Sequence, residues 1–250
     1  MSLFSKLFSN QKAELLSKED VKVDMHSHMI PGIDDGAQTL NQSLILVNKV
    51  CELGFSKLIC TPHIMQDYYK NSKETILPAF ESLQNEIVKS GLKIELDFAA
   101  EYYLDEWLIN EVNTQPEKLL NFGDKYILIE TSFMNKPAQM EKMFFILLSK
   151  GYKPVLAHPE RYTYAYDNFE IYDNWIERGI LLQLNTTSIT GYYSKMAQKA
   201  SKYLIDKKYI SFIGTDCHTA RHLDRLEEAK KSPLYSKLIN HNPLLNNSLL

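Results

Sequence analysis

Two pairs of possible metal ligands occur in the sequence, His26 with His28 and Asp216 with His218, and in each pair a single residue separates the two members. Side chains two positions apart in a β-strand point to the same face, so each pair is expected to reach one cavity. Imidazole and carboxylate groups without a thiolate suit Mn, Fe or Zn in a site with open positions, rather than a closed structural zinc site. Cys217, between Asp216 and His218, is expected to point the other way, into the core.

Further candidate ligands stand at the ends of predicted β-strands. We predict seven strands from short β-rich runs, at 21–28, 57–63, 94–103, 126–131, 154–158, 180–185 and 210–218. All but the sixth carry His, Asp or Glu at the carboxyl edge, and these residues are His26, His28, His63, Glu101, Glu130, His158, Asp216 and His218. One polar residue at a strand exit is ordinary. Six strands that share the feature indicate a common site.

Helical patterns fill the gaps between these strands, at 40–53, 74–89, 138–150, 171–178, 193–207 and 220–231. The first four are each followed by glycine, the residue that most readily takes the left-handed conformation after a helix. Strands that alternate with helices predict an α/β fold whose parallel sheet is covered on both faces or closed into a barrel. In a barrel of this kind the strand ends converge on the catalytic face.

The number of candidate ligands predicts more than one metal ion. Five histidines and three or four carboxylates exceed what one ion with about four to six ligands can use. Clustered ions stabilise charge on the attacking and leaving oxygens of a phosphoryl group, and they lower the pKa of a bound water so that it supplies hydroxide. The predicted reaction class is therefore phosphoester hydrolysis.

The composition excludes several other classes of protein. Of the 250 residues, 44% are hydrophobic and 24% are charged, as in ordinary globular proteins. A net charge of -3 provides no basic field for nucleic acid. The longest apolar run, 143–148, is far shorter than the roughly 20 residues of a membrane-spanning helix. Three cysteines without a C-x-x-C pair predict neither disulfides nor a thiolate zinc site, and they fit a reducing cytoplasm.

The chain is predicted to hold one domain, at 21–232, because no repeat or Gly/Ser-rich linker interrupts it. Residues 1–20 are predicted to form an N-terminal amphipathic arm, with Leu3, Phe4, Leu7 and Phe8 at helical spacing. Such an arm typically docks on its own or a neighbouring subunit, and less often anchors a protein at a membrane surface, so a homo-oligomer is compatible with it. Residues 233–250 carry little pattern and are interpreted as a C-terminal tail.

Five stretches resemble the polymerase and histidinol phosphatase (PHP) superfamily: DMHSHMIPGIDDGA at 24–37, TPH at 61–63, AEYY at 100–103, AHPERY at 157–162 and GTDCH at 214–218. Within it, the chain is most similar to the metal-dependent protein-tyrosine phosphatases that accompany capsule and exopolysaccharide synthesis in bacteria. Asp35 stands where many other members carry histidine, which favours this branch. The resemblance implies a distorted seven-stranded (β/α)7 TIM-like barrel.

The resemblance also implies three divalent metal ions, with Mn favoured over Fe or Zn. Matching motifs assign the first ion to His26, His28, Glu101 and Asp216, the second to Glu101, Glu130 and His158, and the third to Asp35, His63 and His218. Glu101 would then bridge two ions. Glu130 is matched only by its position at the end of the run 126–130.

Two arginines are candidate catalytic residues. Arg161, three residues after His158, is implied to hold the phosphate oxygens as a bidentate, permanently charged clamp. The alternative is a surface arginine paired with Glu160. Arg221 is a second candidate clamp, and His222 is interpreted as a solvated group or as one that supports a ligand from behind.

The leading hypothesis is a cytoplasmic, metal-dependent protein-tyrosine phosphatase. It would hydrolyse phosphotyrosine on the tail of a polysaccharide-synthesis tyrosine kinase by attack of metal-activated hydroxide. Tyr68, Tyr69, Tyr102 and Tyr103 are candidates to stack on the substrate ring or to pack the rim. The alternatives are a small-molecule phosphatase, such as a histidinol-phosphate phosphatase, and a non-catalytic kinase-binding regulator.

A cysteine-based tyrosine phosphatase is excluded by residue spacing. That mechanism needs an arginine six residues after the nucleophilic cysteine. The residues six positions after Cys51, Cys60 and Cys217 are Lys57, Gln66 and Leu223. A polymerase-associated nuclease is not favoured, because the chain lacks the signature of a basic groove.

Overall fold

The strands of this protein are short, and every pair of neighbours runs parallel. The computed structural model describes residues 20–250, so the predicted arm, apart from Asp20, lies outside the described residues. The strands are β1 Val23–Asp24, β2 Lys57–Cys60, β3 His63–Ile64, β4 Glu95–Phe98, β5 Glu101–Tyr103, β6 Tyr126–Glu130, β7 Lys153–Ala157, β8 Leu181–Asn185 and β9 Ile210–Gly214.

These strands form two sheets, in the orders β1-β2-β4 and β3-β5-β6-β7-β8-β9. The α/β fold and the parallel pairing are confirmed, and within residues 20–250 the seven predicted strand regions contain nine strands. Two predicted strands are each divided, 57–63 into β2 and β3 and 94–103 into β4 and β5. The first break contains Pro62, which has no N–H to donate to a neighbouring strand. Both breaks are narrow, since Ala99 N–H still donates to Cys60 O at 2.9 Å and Glu101 N–H to Pro62 O at 3.1 Å.

Helices connect most of the strands, and in the described residues they are α1 Leu40–Glu52, α2 Lys73–Lys89, α3 Glu106–Thr114, α4 Met140–Ser149, α5 Glu170–Glu177, α6 Lys195–Lys207, α7 Ala220–Lys230 and α8 Pro233–His241. Six of them match predicted helical patterns. Helix α3 was not predicted. An aspartate just before a helix is a recognisable signal for its start, and here the Asp105 side chain accepts a hydrogen bond from Leu108 N–H. No helix within residues 20–250 is long and apolar enough to span a bilayer.

The segment 233–250 has more structure than the sequence indicated. It contains α8 and a final 3-10 turn, Asn246–Leu249. The buried Asn246 amide donates to the carbonyl oxygens of Val23, at 2.9 Å, and Ile213, at 2.7 Å, while its oxygen accepts from Ile213 N–H. Leu249 is buried in a core cluster with residues of β1 and β9 such as Val23 and Phe212. The expectation of a pattern-poor tail was therefore wrong, because this segment binds β1 and β9.

The first and last strand regions also meet directly. Ser27 pairs with Cys217 in an isolated parallel bridge, and Asp216 N–H donates to His26 O at 2.8 Å. The buried Asp24 carboxylate accepts from Thr215, from N–H at 3.0 Å and from the hydroxyl at 2.6 Å. These bonds hold the segment that carries His26 against the segment that carries Asp216.

Candidate metal centre

The predicted ligands converge at the carboxyl ends of the strands, around a cavity of about 470 Å³. Glu130 is the last residue of β6, and His158 directly follows β7. His63 and Glu101 begin β3 and β5 just after the two strand breaks, and they face each other in the parallel register. Asp35 lies in the loop before α1 and also lines the cavity.

Two of these residues have unusual backbone conformations. His158 has φ of 32° and Asp216 has φ of 49°, a left-handed region that side-chain-bearing residues rarely occupy. Such strain is concentrated at functional sites.

Strand β9 ends at Gly214, so Asp216 and His218 lie beyond it and strand alternation is not what brings them together. Cys217 is fully buried in the core, as the sequence predicts.

Four buried residues form the tightest group, and they are His26, His28, Glu101 and Asp216. The Nε2 atoms of the two histidines lie 3.3 Å apart. Glu101 Oε2 is 3.1 and 3.2 Å from them, and Asp216 Oδ1 is 3.5 and 3.4 Å from them. Nitrogen and oxygen ligands about 2.0–2.2 Å from one tetrahedral ion lie roughly 3.3–3.6 Å from each other. The observed spacing is therefore close to that of ligands around a single ion.

The hydrogen bonds of the imidazole rings support the same conclusion. His28 Nδ1 donates to the Asp34 carboxylate at 2.7 Å, and His218 Nδ1 donates to Asp216 O at 2.9 Å. Because these oxygens only accept, each Nδ1 carries a hydrogen, and in the neutral ring, the form that binds a metal, Nε2 presents the lone pair. Glu101 Oε2 is buried without a hydrogen-bond partner. Lone pairs that face one another with no donor between them fit a divalent cation.

The other predicted ligands complete two further groups. Asp35 Oδ1 lies 3.6 Å from His63 Nε2 and 3.3 Å from His218 Nε2, and these three residues together with His28 can hold one ion. Glu130 forms a third group with His63 and Glu101. His158 Nε2 adjoins that group, at 3.0 Å from Glu101 Oε1 and 3.5 Å from Glu130 Oε1. The structure thus brings all nine predicted ligands together.

Burial and charge set the protonation of these side chains. Burial, with the Arg161 charge, lowers the pKa of His158 to about 4, so the ring is neutral at pH 7, the form that coordinates metals. Burial raises the pKa of Glu130 well above its ordinary value, and the neighbouring Glu101 charge adds to the effect. A divalent ion next to both carboxylates would offset this repulsion.

Arg161 lines the cavity and is held on three sides. Its Nη1 donates to Asp216 Oδ2 at 2.7 Å, and its guanidinium carbon lies 4.6 Å from the ring centre of Phe133 and 4.2 Å from that of Tyr193. Glu160 is not its surface partner, because Glu160 is fully buried and accepts hydrogen bonds from Ser188 Oγ at 2.6 Å and Asn185 N–H at 3.1 Å.

The second predicted clamp lies elsewhere. Arg221 stacks over the ring of Tyr192 at 5.4 Å and is not among the residues that line the cavity. His222 does support a ligand from behind, because its Nδ1 accepts from His218 N–H at 3.0 Å.

Asp34 is a site residue that sequence reasoning missed. Its Oδ2 accepts from His28 Nδ1 and from His63 N–H at 3.0 Å, and its Oδ1 accepts from Gly36 N–H at 3.0 Å. A Cβ at Gly36 would lie 1.9 Å from His28 O, so only glycine fits there. The signal was the pair of adjacent aspartates, of which only Asp35 was assigned a role.

Aromatic and methionine side chains form the walls above the ligands. Those that line the cavity are Met65, Tyr68, Tyr69, Tyr103, Phe133 and Met134. Tyr69 stacks on His63 with ring centres 5.6 Å apart. The expectation for Tyr102 was wrong, because its ring is buried and its hydroxyl accepts from Leu120 N–H at 2.7 Å.

The cysteine next to the ligands is not a nucleophile. Burial raises the pKa of the Cys217 thiol well above its ordinary value, and the charges of Asp24 and Asp216 add to the increase. The thiol is therefore protonated at neutral pH, and thiolate chemistry is not available to it.

Comparison with known proteins identifies the family. The family described as capsular polysaccharide synthesis, CpsB/CapC, matches residues 22–235. The tyrosine-protein phosphatase YwqE of Bacillus subtilis is 30% identical over 200 residues, which are 80% of this chain and 78% of YwqE. The tyrosine-protein phosphatase CpsB of Streptococcus agalactiae is 24% identical over 201 residues, 78% of this chain and 82% of CpsB.

Solved structures agree with this assignment. One from a study of YwqE from Bacillus subtilis and CpsB from Streptococcus pneumoniae, described as unique metal-dependent tyrosine phosphatases, matches with a TM-score of 0.78 and 27% identity, over 91% of this chain and 94% of that one. Histidinol phosphate phosphatase of Lactococcus lactis shares only the fold, with a TM-score of 0.52 and 17% identity over 84% of this chain and 94% of that one. Because the family match covers most of the chain, this protein belongs to the CpsB/CapC family of capsular polysaccharide synthesis proteins.

Proposed function

We propose that this protein is a metal-dependent protein-tyrosine phosphatase. The observation that carries the proposal is the convergence of acceptor atoms from His26, His28, Glu101 and Asp216, with spacings of 3.1–3.5 Å, beside a cavity with aromatic walls. This arrangement suits hydrolysis of an aryl phosphate. Its relatives YwqE and CpsB are tyrosine-protein phosphatases, which supports the same reaction here.

The site would hold three divalent ions, with Mn favoured. His26, His28, Glu101 and Asp216 would hold the first, Glu101, Glu130 and His158 the second, and Asp35, His63 and His218 the third. His28 also lies within reach of the third group and His63 within reach of the second. When bound, such ions neutralise the phosphoryl charge and lower the pKa of water to make it a nucleophile at neutral pH.

Arg161 would bind the phosphoryl oxygens. Its contacts with the rings of Phe133 and Tyr193 and its bond to Asp216 fix the guanidinium before substrate arrives, so little side-chain entropy is lost on binding. Asp216 occupies Nη1, which leaves the other guanidinium N–H groups for phosphate. Arg221 is retained as a second candidate clamp, although its position over Tyr192 makes it subordinate to Arg161.

The cavity walls would hold the substrate's ring. Met65 and Tyr68 follow β3, while Phe133 and Met134 follow β6, and all four line the cavity. Tyr68 and Met134 are each 74% exposed, so they have apolar surface available for an incoming aryl group. A flat phenyl ring would gain stacking and burial there that an aliphatic phosphoserine side chain would not.

The two sheets are, in our proposal, arcs of one distorted seven-stranded (β/α)7 barrel. If β2 with β3 and β4 with β5 are each counted as one broken strand, the order of pairing follows the order of the chain from β1 to β9. The Ser27–Cys217 bridge would then close the circle. The domain would extend from residue 21 to at least 232, with α8 and the final turn packed against it.

The substrate would be a protein with phosphotyrosine, and the tail of a polysaccharide-synthesis tyrosine kinase is the favoured partner. The description of the family as capsular polysaccharide synthesis supports this choice. The test is hydrolysis by the Mn²⁺-loaded protein of a phosphotyrosine peptide, its phosphoserine counterpart and histidinol phosphate. A higher kcat/KM for histidinol phosphate would favour a small-molecule phosphatase, and no turnover of any substrate by the loaded protein would favour a binding protein.

A further inference from the structure

Strand β8 is the one strand region of the predicted seven that contributes no candidate ligand. It carries two buried amides instead, Gln183 and Asn185, whose relative exposure is 0%. They are two positions apart, so their side chains share a face of the strand. Both contact residues of the metal centre: Gln183 contacts His26 and His158, and Asn185 contacts Asp216.

The direction of every hydrogen bond in this group follows from one backbone donor. His158 N–H donates to the Gln183 side chain at 3.2 Å, so the atom that receives it must be the amide oxygen. The same oxygen lies 2.9 Å from His26 Nδ1. Because a carbonyl oxygen cannot donate, His26 Nδ1 must carry the hydrogen. In the neutral ring, the form that binds a metal, Nε2 then presents its lone pair to Glu101 and His28.

The other end of the Gln183 amide determines the orientation of Asn185. Gln183 Nε2 donates to Asn185 Oδ1 at 3.0 Å, so the opposite atom of the Asn185 amide is its nitrogen. This Nδ2 donates to Asp216 Oδ2 at 2.7 Å, and Arg161 donates to the same oxygen. Asp216 Oδ2 is thus occupied by two donors, and Oδ1 is the oxygen that faces His26 and His28.

We propose that Gln183 and Asn185 form an amide relay that positions the ligands of the first ion. In this relay Gln183 fixes the tautomer of His26, and Asn185 fixes which oxygen of Asp216 faces the site. The inference rests on the proposed metal-dependent function and assigns both residues as positioning residues. Partners of this kind behind a metal ligand typically contribute on the order of 10- to 100-fold in metal affinity.

Strand β9 packs closely against His26 and Gln183. A Cβ at Gly214 would lie 2.6 Å from His26 Cβ and 3.0 Å from Gln183 Nε2. Glycine at this position therefore allows β9 to approach both side chains. Glu160 supports the relay from the far side, because its Oε1 accepts from Asn185 N–H at 3.1 Å and from Ser188 Oγ at 2.6 Å.

The tautomer can be measured in the wild-type protein, without a substitution. Zn²⁺ is diamagnetic, so the Zn²⁺-loaded protein labelled with ¹⁵N-histidine is suitable for long-range ¹H–¹⁵N correlation spectra. We expect His26 to show a protonated Nδ1 and a metal-bound Nε2. A metal-bound or unprotonated Nδ1 at His26 would overturn the relay.

Substitutions separate the two roles. Gln183→Leu removes the three side-chain hydrogen bonds of Gln183, to His26, His158 and Asn185. It should weaken Zn²⁺ affinity about 10- to 100-fold in a chelator competition titration, with loss of the His26 tautomer preference. Asn185→Ala should also weaken Zn²⁺ affinity but keep the tautomer, because Gln183 Oε1 still accepts from His26. Gln198→Leu is the matched control. It removes an amide that donates to Ile189 O at 2.9 Å, away from the metal centre, and should leave Zn²⁺ affinity unchanged.

The outcomes distinguish this inference from the proposed function. Wild-type protein that binds no Zn²⁺ and hydrolyses no phosphotyrosine peptide would remove the proposed function and the relay with it. Wild-type protein that binds Zn²⁺, together with a folded Gln183→Leu protein of equal affinity and unchanged His26 tautomer, would overturn the relay alone. If Gln183→Leu does not fold, the wild-type spectrum and Asn185→Ala give the same decision.

Discussion

Arg161 Nη1 and Asp216 Oδ2 form a 2.7 Å ion pair. This pair joins a residue that lines the cavity to a predicted metal ligand. Asp216 therefore faces His26 and His28 with one oxygen and Arg161 with the other. Phosphate that contacted Arg161 would lie next to the ions, and the two positive centres would act on the same group.

Replacement of Arg161 should reduce catalysis and spare the metal. We expect Arg161→Ala to lower kcat/KM for a phosphotyrosine peptide by about 10²- to 10³-fold, because a fixed donor to the phosphoryl oxygens is lost. Metal content should persist, since Asn185 still donates to Asp216 Oδ2. Steady-state kinetics and elemental analysis measure the two effects. The control is Arg225→Ala, which removes a surface arginine paired with Glu228. Equal kinetics for both variants would show that Arg161 has no clamp role.

Replacement of His28 should abolish activity through loss of metal. His28 Nε2 faces Glu101 and Asp216, and the residue belongs to two of the three candidate groups. We expect His28→Ala to retain fewer ions per chain and no measurable turnover. Cys217→Ser should keep most activity, because the buried thiol is protonated. An inactive Cys217→Ser protein that is folded and metal-loaded would contradict this account.

Asp34 should contribute to metal affinity although it lies behind His28. We expect Asp34→Ala to weaken metal affinity about 10- to 100-fold, because His28 Nδ1 and His63 N–H both lose their acceptor. Chelator competition gives the affinity. Asp67→Ala, at an exposed position in the loop after β3, is the matched control. Indistinguishable affinities for the two variants would mean that the Asp34 hydrogen bonds do not orient the ligands.

The final turn should contribute strongly to stability. Leu249 is buried in the core cluster, whereas Leu250 is 66% exposed. We expect Leu249→Ala to lower the free energy of unfolding by about 2–5 kcal/mol, and Leu250→Ala by less than about 0.5 kcal/mol. Denaturant titration of both variants measures the difference. A similar loss for both would indicate that the turn is not packed as described.

The sequence predicted that these candidate ligands would converge, because their types and positions at strand ends are local features. His63, Glu101, Glu130 and His158 required only a strand boundary and a residue type. The breaks that divide two predicted strands were not predicted, since the β-rich pattern runs through them and the geometry depends on neighbouring strands. The role of the segment 233–250 was missed for a similar reason, because the Asn246 amide makes its bonds to strands far away in the chain.

The residues behind the ligands were harder to predict than the ligands. Asp34 and Gln183 act through hydrogen bonds to specific ring atoms, and residue type alone gives no sign of such a bond. The alternative to a clamp role for Arg161 was a surface pair with Glu160, yet Glu160 is fully buried. Burial of a charged residue depends on tertiary partners, here Ser188 and Asn185.

The most direct test of metal-dependent phosphotyrosine hydrolysis is one kinetic comparison on the full chain. After chelation and dialysis, kcat/KM for a phosphotyrosine peptide is measured without added metal and then with Mn²⁺, beside the matching phosphoserine peptide and histidinol phosphate. We expect no turnover by the metal-free protein, and restored turnover with Mn²⁺ that is highest for phosphotyrosine. Undiminished phosphotyrosine hydrolysis by protein shown to be metal-free would contradict it.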